Sequence, residues 1–270
     1  MEKNIPSLCP VTFITGAARR IGADITSALH RAGFNVIIHY RHSNTQAEQL
    51  AASLNLERPD SAISLQADLN QLDQVVQIAE QAQTQWGRMD ALINNASSFY
   101  PSPIGQTTDA MWNDLIGSNL KAPFFLAQAL APALRQAYGS IVNIADIYAD
   151  RPLKQHTLYS IAKAGNVMLT KSLAKELAPQ VRVNGIAPGA ILWPENKSED
   201  GNTPGDNTAD DNTSSATPLS DKTQQAILKQ IPLSRVGTPS DISNTILFLL
   251  KQAPYITGQI FSVDGGRTLN

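Results

Sequence analysis

Tyr159 and Lys163 stand four residues apart in the stretch YSIAK. On a helix, side chains at i and i+4 share a face, so the phenol and the ammonium meet. An ammonium beside a phenol favours the phenolate and draws the tyrosine pKa down towards working pH. A tyrosine tuned in this way hands a proton to a substrate. Alone, Y-x-x-x-K is more often an ordinary helix pair, and its weight depends on what surrounds it. Asp146 precedes Tyr159 by 13 residues and brings a carboxyl to the same part of the chain.

The surroundings include a phosphate-binding turn. Apolar residues Val11–Thr15 run into Gly16, and a helical pattern follows through Gly22. A strand, a glycine turn and a helix N-terminus together offer free N–H groups and a positive dipole end to a pyrophosphate. Gly16 permits the tight turn, and Gly22 lets the helix approach the sheet. Between them, where a further glycine is expected, stands Arg20, followed by Ile21. The Arg20 backbone can line the turn provided that the position does not require a positive φ, which disfavours residues other than glycine.

A second strand-like run ends in VIIHYRHSN. An NAD-binding chain carries Asp or Glu here for the ribose 2′-hydroxyl. This one carries His39, Tyr40, Arg41, His42 and Ser43. A guanidinium fork with hydroxyl donors suits a 2′-phosphate, which points to NADPH over NADH. The plainer alternative for Arg41 is a solvated loop arginine. Asp68, beside Leu69, has two readings as well: acceptor from an adenine amino group, or N-cap of a helix.

Positioning these groups requires alternating strands and helices, and the pattern supplies them. β-branched runs occur at Val11–Thr15, Asn35–Tyr40, Ala62–Gln66, Ala91–Asn94, Ser140–Ile144, Arg182–Ile186 and Gln259–Val263. Helical spacing fills the stretches between, for example Ala23–Ala32 and Leu158–Leu177. Such alternation implies an α/β fold, a single Rossmann-type doubly wound domain over residues 1–270 with a seven-stranded parallel sheet. The segment Trp193–Ser220, rich in Asp, Asn, Thr, Ser, Gly and Pro, interrupts the pattern as a polar insertion. It reads either as a surface loop or as a lid over a substrate site.

Composition narrows the class. The 270 residues are 42% hydrophobic and 16% charged with a net charge of −2, enough for a sizeable core and without the basic balance of a nucleic-acid binder. One cysteine, Cys9, excludes an internal disulfide, and the four histidines show no metal-ligand spacing. No apolar run reaches the ~18 residues of a membrane span, so the expectation is a soluble, cytoplasmic protein.

The glycine turn, Asn94-Asn95-Ala96, Asn119, Tyr159 with Lys163, and Pro188-Gly189 occur in this order. Together they resemble the short-chain dehydrogenase/reductase family over nearly the whole chain apart from the insertion. The resemblance implies hydride transfer from a nicotinamide with Tyr159 as acid. Lys163 would hold the nicotinamide ribose and tune Tyr159, and Asn119 would hold a relay water. It places the cofactor against Gly16, Arg20, Ile21, the His39–Ser43 run, Asp68, Leu69, Asn95, Ala96, Ser97, Tyr159, Lys163, Pro188 and Gly189.

Three departures stand out: Arg20 for the middle glycine, Ser97 for the glycine after Asn-Asn-Ala, and Asp146 where the family's serine belongs. With NNASSFYPSP and HYRHS, they are similar to the pteridine reductase subgroup. A pterin offers ring nitrogens and an amino group, where a ketone offers one oxygen. Asp146 can accept from those N–H groups or relay a proton to Tyr159. Phe99 gives a flat face for stacking, or else is a core aromatic. The substrate set is then Arg20, Ser97, Phe99, Asp146 and Tyr159. Arg20 either bridges pyrophosphate and pterin or only neutralises the pyrophosphate. Two other readings stay open: a carbonyl or 3-oxoacyl reductase, and a non-catalytic NADP(H) sensor. The resemblance further suggests a homotetramer, with the Asp109–Tyr138 and Leu158–Leu177 helices in its interfaces.

Overall fold

The computed structural model describes residues 9–191 and 221–269. Seven strands form one sheet: β1 (Val11–Ile14), β2 (Asn35–Tyr40), β3 (Ala62–Gln66), β4 (Ala91–Asn94), β5 (Ser140–Ile144), β6 (Arg182–Pro188) and β7 (Ile260–Val263). Their order is β3-β2-β1-β4-β5-β6-β7, and every neighbouring pair is parallel. The seven strands expected from β-branched runs are all present, most ending within a residue of expectation. β6 runs on through Pro188. The expected insertion at Trp193–Ser220 lies outside the described residues.

The helices are α1 (Arg20–Arg31), α2 (Asn44–Glu57), α3 (Leu72–Trp86), α4 (Asp109–Ile116), α5 (Ala122–Gln136), α6 (Thr157–Glu176), α7 (Asp221–Lys229) and α8 (Pro239–Lys251). They cover both faces of the sheet, which is why the central strands are buried throughout. Alternate strand residues divide between two cores. Phe13, Ile37, Leu92 and Ile141 meet α3 and α5 on one face. Ile14, Val36, Ile38, Ile93 and Val142 meet α1 and α8 on the other. Helix ends follow local chemistry: Gly87 closes α3 with φ 66°, and Thr238 with Asp241 forms a capping box ahead of α8. Among the described residues, no helix is long and apolar enough to cross a membrane.

One element departs from the sequence pattern. The stretch Asp109–Tyr138 is not one continuous α-helix. A π-helical turn, Gly117–Lys121, separates α4 from α5 and carries Asn119. Here the helix presses on the β3–α3 loop: a Cβ on Gly117 would stand 2.3 Å from Asn70 Oδ1. Wider turns of this kind concentrate at functional sites.

The strand order reverses between β1 and β4. Ligands of doubly wound sheets bind in the crevice at the carboxyl ends of the strands beside such a reversal. The loops leaving β1, β2, β4, β5 and β6 all open there.

Candidate active site

Gly16 turns the chain out of β1 with φ 58°, and a Cβ there would meet Ala96 Cα at 2.9 Å. Asn95 braces the turn, donating from Nδ2 to Thr15 O (3.0 Å) and Gly16 O (2.9 Å). Arg20 has φ 51°. This position does require the left-handed region, so the proviso set on Arg20 from the sequence is not met. The reason is steric. The backbone must swing from the turn into α1 in one residue, and a Cβ there costs about 1–2 kcal/mol. Strain held at a cleft points to a use for the side chain.

His39 also differs from expectation. Its Nδ1 accepts from Gly16 N–H (3.0 Å), which leaves the hydrogen on Nε2 to bond Ala67 O (3.1 Å). Both ring nitrogens serve the backbone, so His39 borders the cleft as a strut and offers no N–H to a phosphate. Burial depresses its pKa to about 4. The unfolded chain takes up this proton near pH 6.5, the folded one only near 4. Stability from neutral His39 is therefore complete above pH 6.5 and lost as pH falls through that window, by about 3 kcal/mol. Urea unfolding at pH 7 and at pH 4.5 measures the loss. His39→Gln is expected to make the difference smaller, and an unchanged difference would exclude His39 as its source.

No carboxylate follows β2 in the chain, yet two approach Arg41 from elsewhere. Its Nη2 lies 3.2 Å from Asp68 Oδ2 and its Nη1 3.5 Å from Asp114 Oδ1. Arg41 is therefore an ion-paired residue, which corrects the solvated-loop alternative. Asp68 accepts from Asn70 N–H at 3.0 Å, while Gln71 is the residue that precedes α3. The N-cap alternative for Asp68 falls with that.

At the far end of the crevice, the Tyr159 hydroxyl donates to Asp146 Oδ2 at 2.5 Å. Asp146 Oδ1 accepts from Tyr148 N–H at 2.8 Å, which fixes the carboxyl plane. Burial raises the Asp146 pKa, with the hydrogen bond from Tyr159 opposing. Burial and then the Asp146 charge hold the Tyr159 pKa well above the usual phenol value. Lys163 Nζ donates to Ile144 O (2.9 Å) and lies 5.6 Å from the Tyr159 ring centre, its pKa brought down to about 8 by burial. The expectation that Lys163 draws the Tyr159 pKa down is corrected. The ammonium sits over the ring and not at the hydroxyl, and the nearer carboxylate prevails. Tyr159 is held as a neutral phenol, the form a proton donor needs.

Ser97 donates to Asn119 Oδ1 (2.7 Å), while Asn119 Nδ2 bonds Ser98 O and Leu115 O. The Asn119 carbonyl accepts from Asn166 Nδ2 (3.0 Å). The asparagine on the π-turn thus holds the Ser97–Phe99 loop by its side chain. Phe99 meets Tyr159 edge-on at 4.8 Å, and His156 stacks on it at 4.8 Å and 15°. Sequence reasoning missed that role of His156. No spacing signals a stack made between separate loops.

One cavity of about 410 Å³ joins these groups. It is lined by Gly16, Arg20, Ile21, His39, Tyr40, Arg41, Ser43, Asn95, Ala96, Ser97, Phe99, Asp146, Tyr159, Lys163, Pro188 and Gly189. Four expected residues are not on its wall. His42 is exposed, Leu69 is in the core, Asn119 lies behind Ser97, and Asp68 faces a second cavity beyond Arg41. Among the described residues no cluster of metal-ligating side chains occurs.

A family model described as short chain dehydrogenase matches residues 10–203. The chain belongs to the short-chain dehydrogenase/reductase family. A second family model, described as enoyl-(acyl carrier protein) reductase, matches residues 207–268 of this short-chain dehydrogenase/reductase. Among known relatives, it is 34% identical to pteridine reductase 1 of Leishmania tarentolae, over 96% of each chain. It is equally 34% identical to a 3-oxoacyl-(acyl-carrier-protein) reductase of Staphylococcus aureus, over 94% of this chain and 96% of the relative. A Synechocystis protein of the same name is 33% identical, over 96% and 97%. Membership makes the chain an oxidoreductase of this family.

Proposed function

We propose that this oxidoreductase is an NADPH-dependent pteridine reductase. The observation that carries the reading is the Asp146 carboxyl at 2.5 Å from the Tyr159 hydroxyl, beside the Phe99 ring. A carbonyl reductase needs a neutral hydroxyl there to hold an oxygen. A carboxyl suits a substrate that presents N–H donors and takes a proton on nitrogen.

The residues fit the cofactor. The start of α1 has no acidic residue and no side-chain cap, so its N–H groups remain for an anion, with Arg19 and Arg20 beside them. Gly16 and Asn95 shape the pyrophosphate turn, and Arg41 and Ser43 would hold a 2′-phosphate, with Asp68 orienting Arg41 from behind. Pro188 and Gly189 would wall the nicotinamide end, and Lys163 would hold its ribose. The reduced nicotinamide, when bound, supplies the hydride. Tyr159 delivers its proton to the substrate nitrogen; Asp146, which burial favours in its protonated form, passes its own proton to the Tyr159 oxygen and is reprotonated from solvent. Phe99, backed by His156, fixes the ring plane. Arg20 holds the polar edge of the pterin, a use that accounts for its strained backbone.

Dihydropterins are the proposed substrates, with oxidised pterins and folates as further candidates. NADPH absorbance followed against a panel of all three tests this. Consumption with a dihydropterin is expected, and none with any of the three would overturn the reading. For the cofactor, Arg41→Ala is expected to weaken NADPH by about 1.5–3 kcal/mol, the loss of a charged hydrogen bond, and NADH far less. Titration of both cofactors checks it, and equal losses would refute the assignment.

The second reading, a 3-oxoacyl reductase, is favoured by the relatives of that name at the same identity. For assembly, we propose a homotetramer through the α4–α5 and α6 faces. Exposed Phe124 (40%), Ile161 (47%) and Met168 (62%) on these faces support it.

A further inference from the structure

Arg41 leaves β2 with its guanidinium between two carboxylates. Asp68 is the nearer at 3.2 Å and is itself fixed by Asn70 N–H. Asp114 approaches the other terminal nitrogen from α4 at 3.5 Å. It is placed independently of Arg41, accepting from Asn70 Nδ2 at 2.8 Å and from the Tyr100 hydroxyl. The Arg41 Nε is buried and has no hydrogen-bond partner among the described residues. Arg41 is also the wall between the main cleft and a second cavity of about 500 Å³, on whose side Asp68 and Asp114 lie.

The charges decide what this arrangement does. One cation is paired with two anions, so this trio is net negative before any ligand arrives, with Lys121 a further cation on the wall of the second cavity. A phosphate monoester brings roughly −1.5 to −2 more at neutral pH. Any phosphate at Arg41 therefore shares the guanidinium with both carboxylates and is repelled by them. Asp68, closer and hydrogen-bonded, is the group that orients Arg41. Asp114 adds mainly opposing charge.

We propose that Asp114 is a specificity-determining residue, a counter-charge on Arg41 that limits affinity for a 2′-phosphate and so sets the balance between phosphorylated and unphosphorylated dinucleotides. This rests on the reading of Arg41 as the 2′-phosphate site. Asp114 lies off the cleft that Tyr159 and Lys163 line and acts through Arg41. Its effect is confined to ligands that carry the extra phosphate, which a merely structural role would not produce.

The test uses the full chain and two fragments, 2′,5′-ADP and 5′-AMP, whose difference is the 2′-phosphate alone. In the unsubstituted protein, tighter binding of 2′,5′-ADP tests the NADPH reading by itself. Asp114→Asn then tests the present inference. It keeps shape and acceptor oxygen while removing charge. The expected result is roughly 3- to 10-fold tighter 2′,5′-ADP, the scale of a partly exposed charge pair, with 5′-AMP unchanged within about twofold. Asp114→Ser should shift the ratio the same way if the asparagine disturbs folding, which a melting curve reports. Weaker 2′,5′-ADP binding, or equal change for both fragments, would overturn the proposal and make Asp114 a plain anchor of Arg41.

Discussion

Replacing Tyr159 with phenylalanine is expected to lower turnover by about 10²–10⁴-fold, the range for a lost general acid, while cofactor still binds. The ring keeps its packing against Phe99 and stays beneath the Lys163 ammonium, so the cleft keeps its shape. Only the oxygen that donates to Asp146 is lost. Steady-state kcat and a separate cofactor titration divide the two effects. Near-normal turnover would mean that another group donates the proton, with Asp146 the nearest candidate.

Asp146→Asn is expected to reduce pterin turnover at least about tenfold without weakening the fold or cofactor binding. Asparagine keeps an oxygen for Tyr148 N–H but no longer exchanges a proton with Tyr159. The stability outcome has a definite sign. Burial raises the Asp146 pKa, so the folded state binds this proton more tightly than the unfolded one. Stability is then lost as pH rises through the folded pKa, and the neutral amide escapes that loss. At pH 7 the Asp146→Asn protein should melt no lower than the unsubstituted one while turning over more slowly. A lower melting temperature with undiminished kcat would make Asp146 a structural cap of the turn it precedes. Asp146→Ser should also lose pterin turnover and gain slight activity on a ketone.

The sheet was legible because its strands are buried on both faces and so read as apolar, β-branched runs. Residues such as Ile37 and Ile38 serve opposite cores from adjacent positions. Tyr159, Lys163 and Asp146 were legible as a group because two lie one helical turn apart and the third stands where the family's serine belongs. What escaped depends on contacts between segments distant in sequence. The carboxylates on Arg41 come from positions 68 and 114, and nothing local to the HYRHS run announces them. His39 looked like a cofactor ligand from its place after β2, yet the backbones of Gly16 and Ala67 take both its nitrogens. The π-turn at Asn119 has ordinary helical spacing, and the pressure from Asn70 that accompanies it is tertiary. The positive φ of Arg20 could be posed from sequence as a condition but decided only by coordinates.

On the proposed function, Asp146 in place of a serine turns this site from a carbonyl to a pterin. The most direct measurement is the ratio of kcat/KM for dihydrobiopterin to that for a β-ketoester, both with NADPH and the unsubstituted protein. The expected ratio is well above one and falls in Asp146→Ser. A ratio below one, unmoved by that substitution, would contradict it and give first place to the 3-oxoacyl reductase reading.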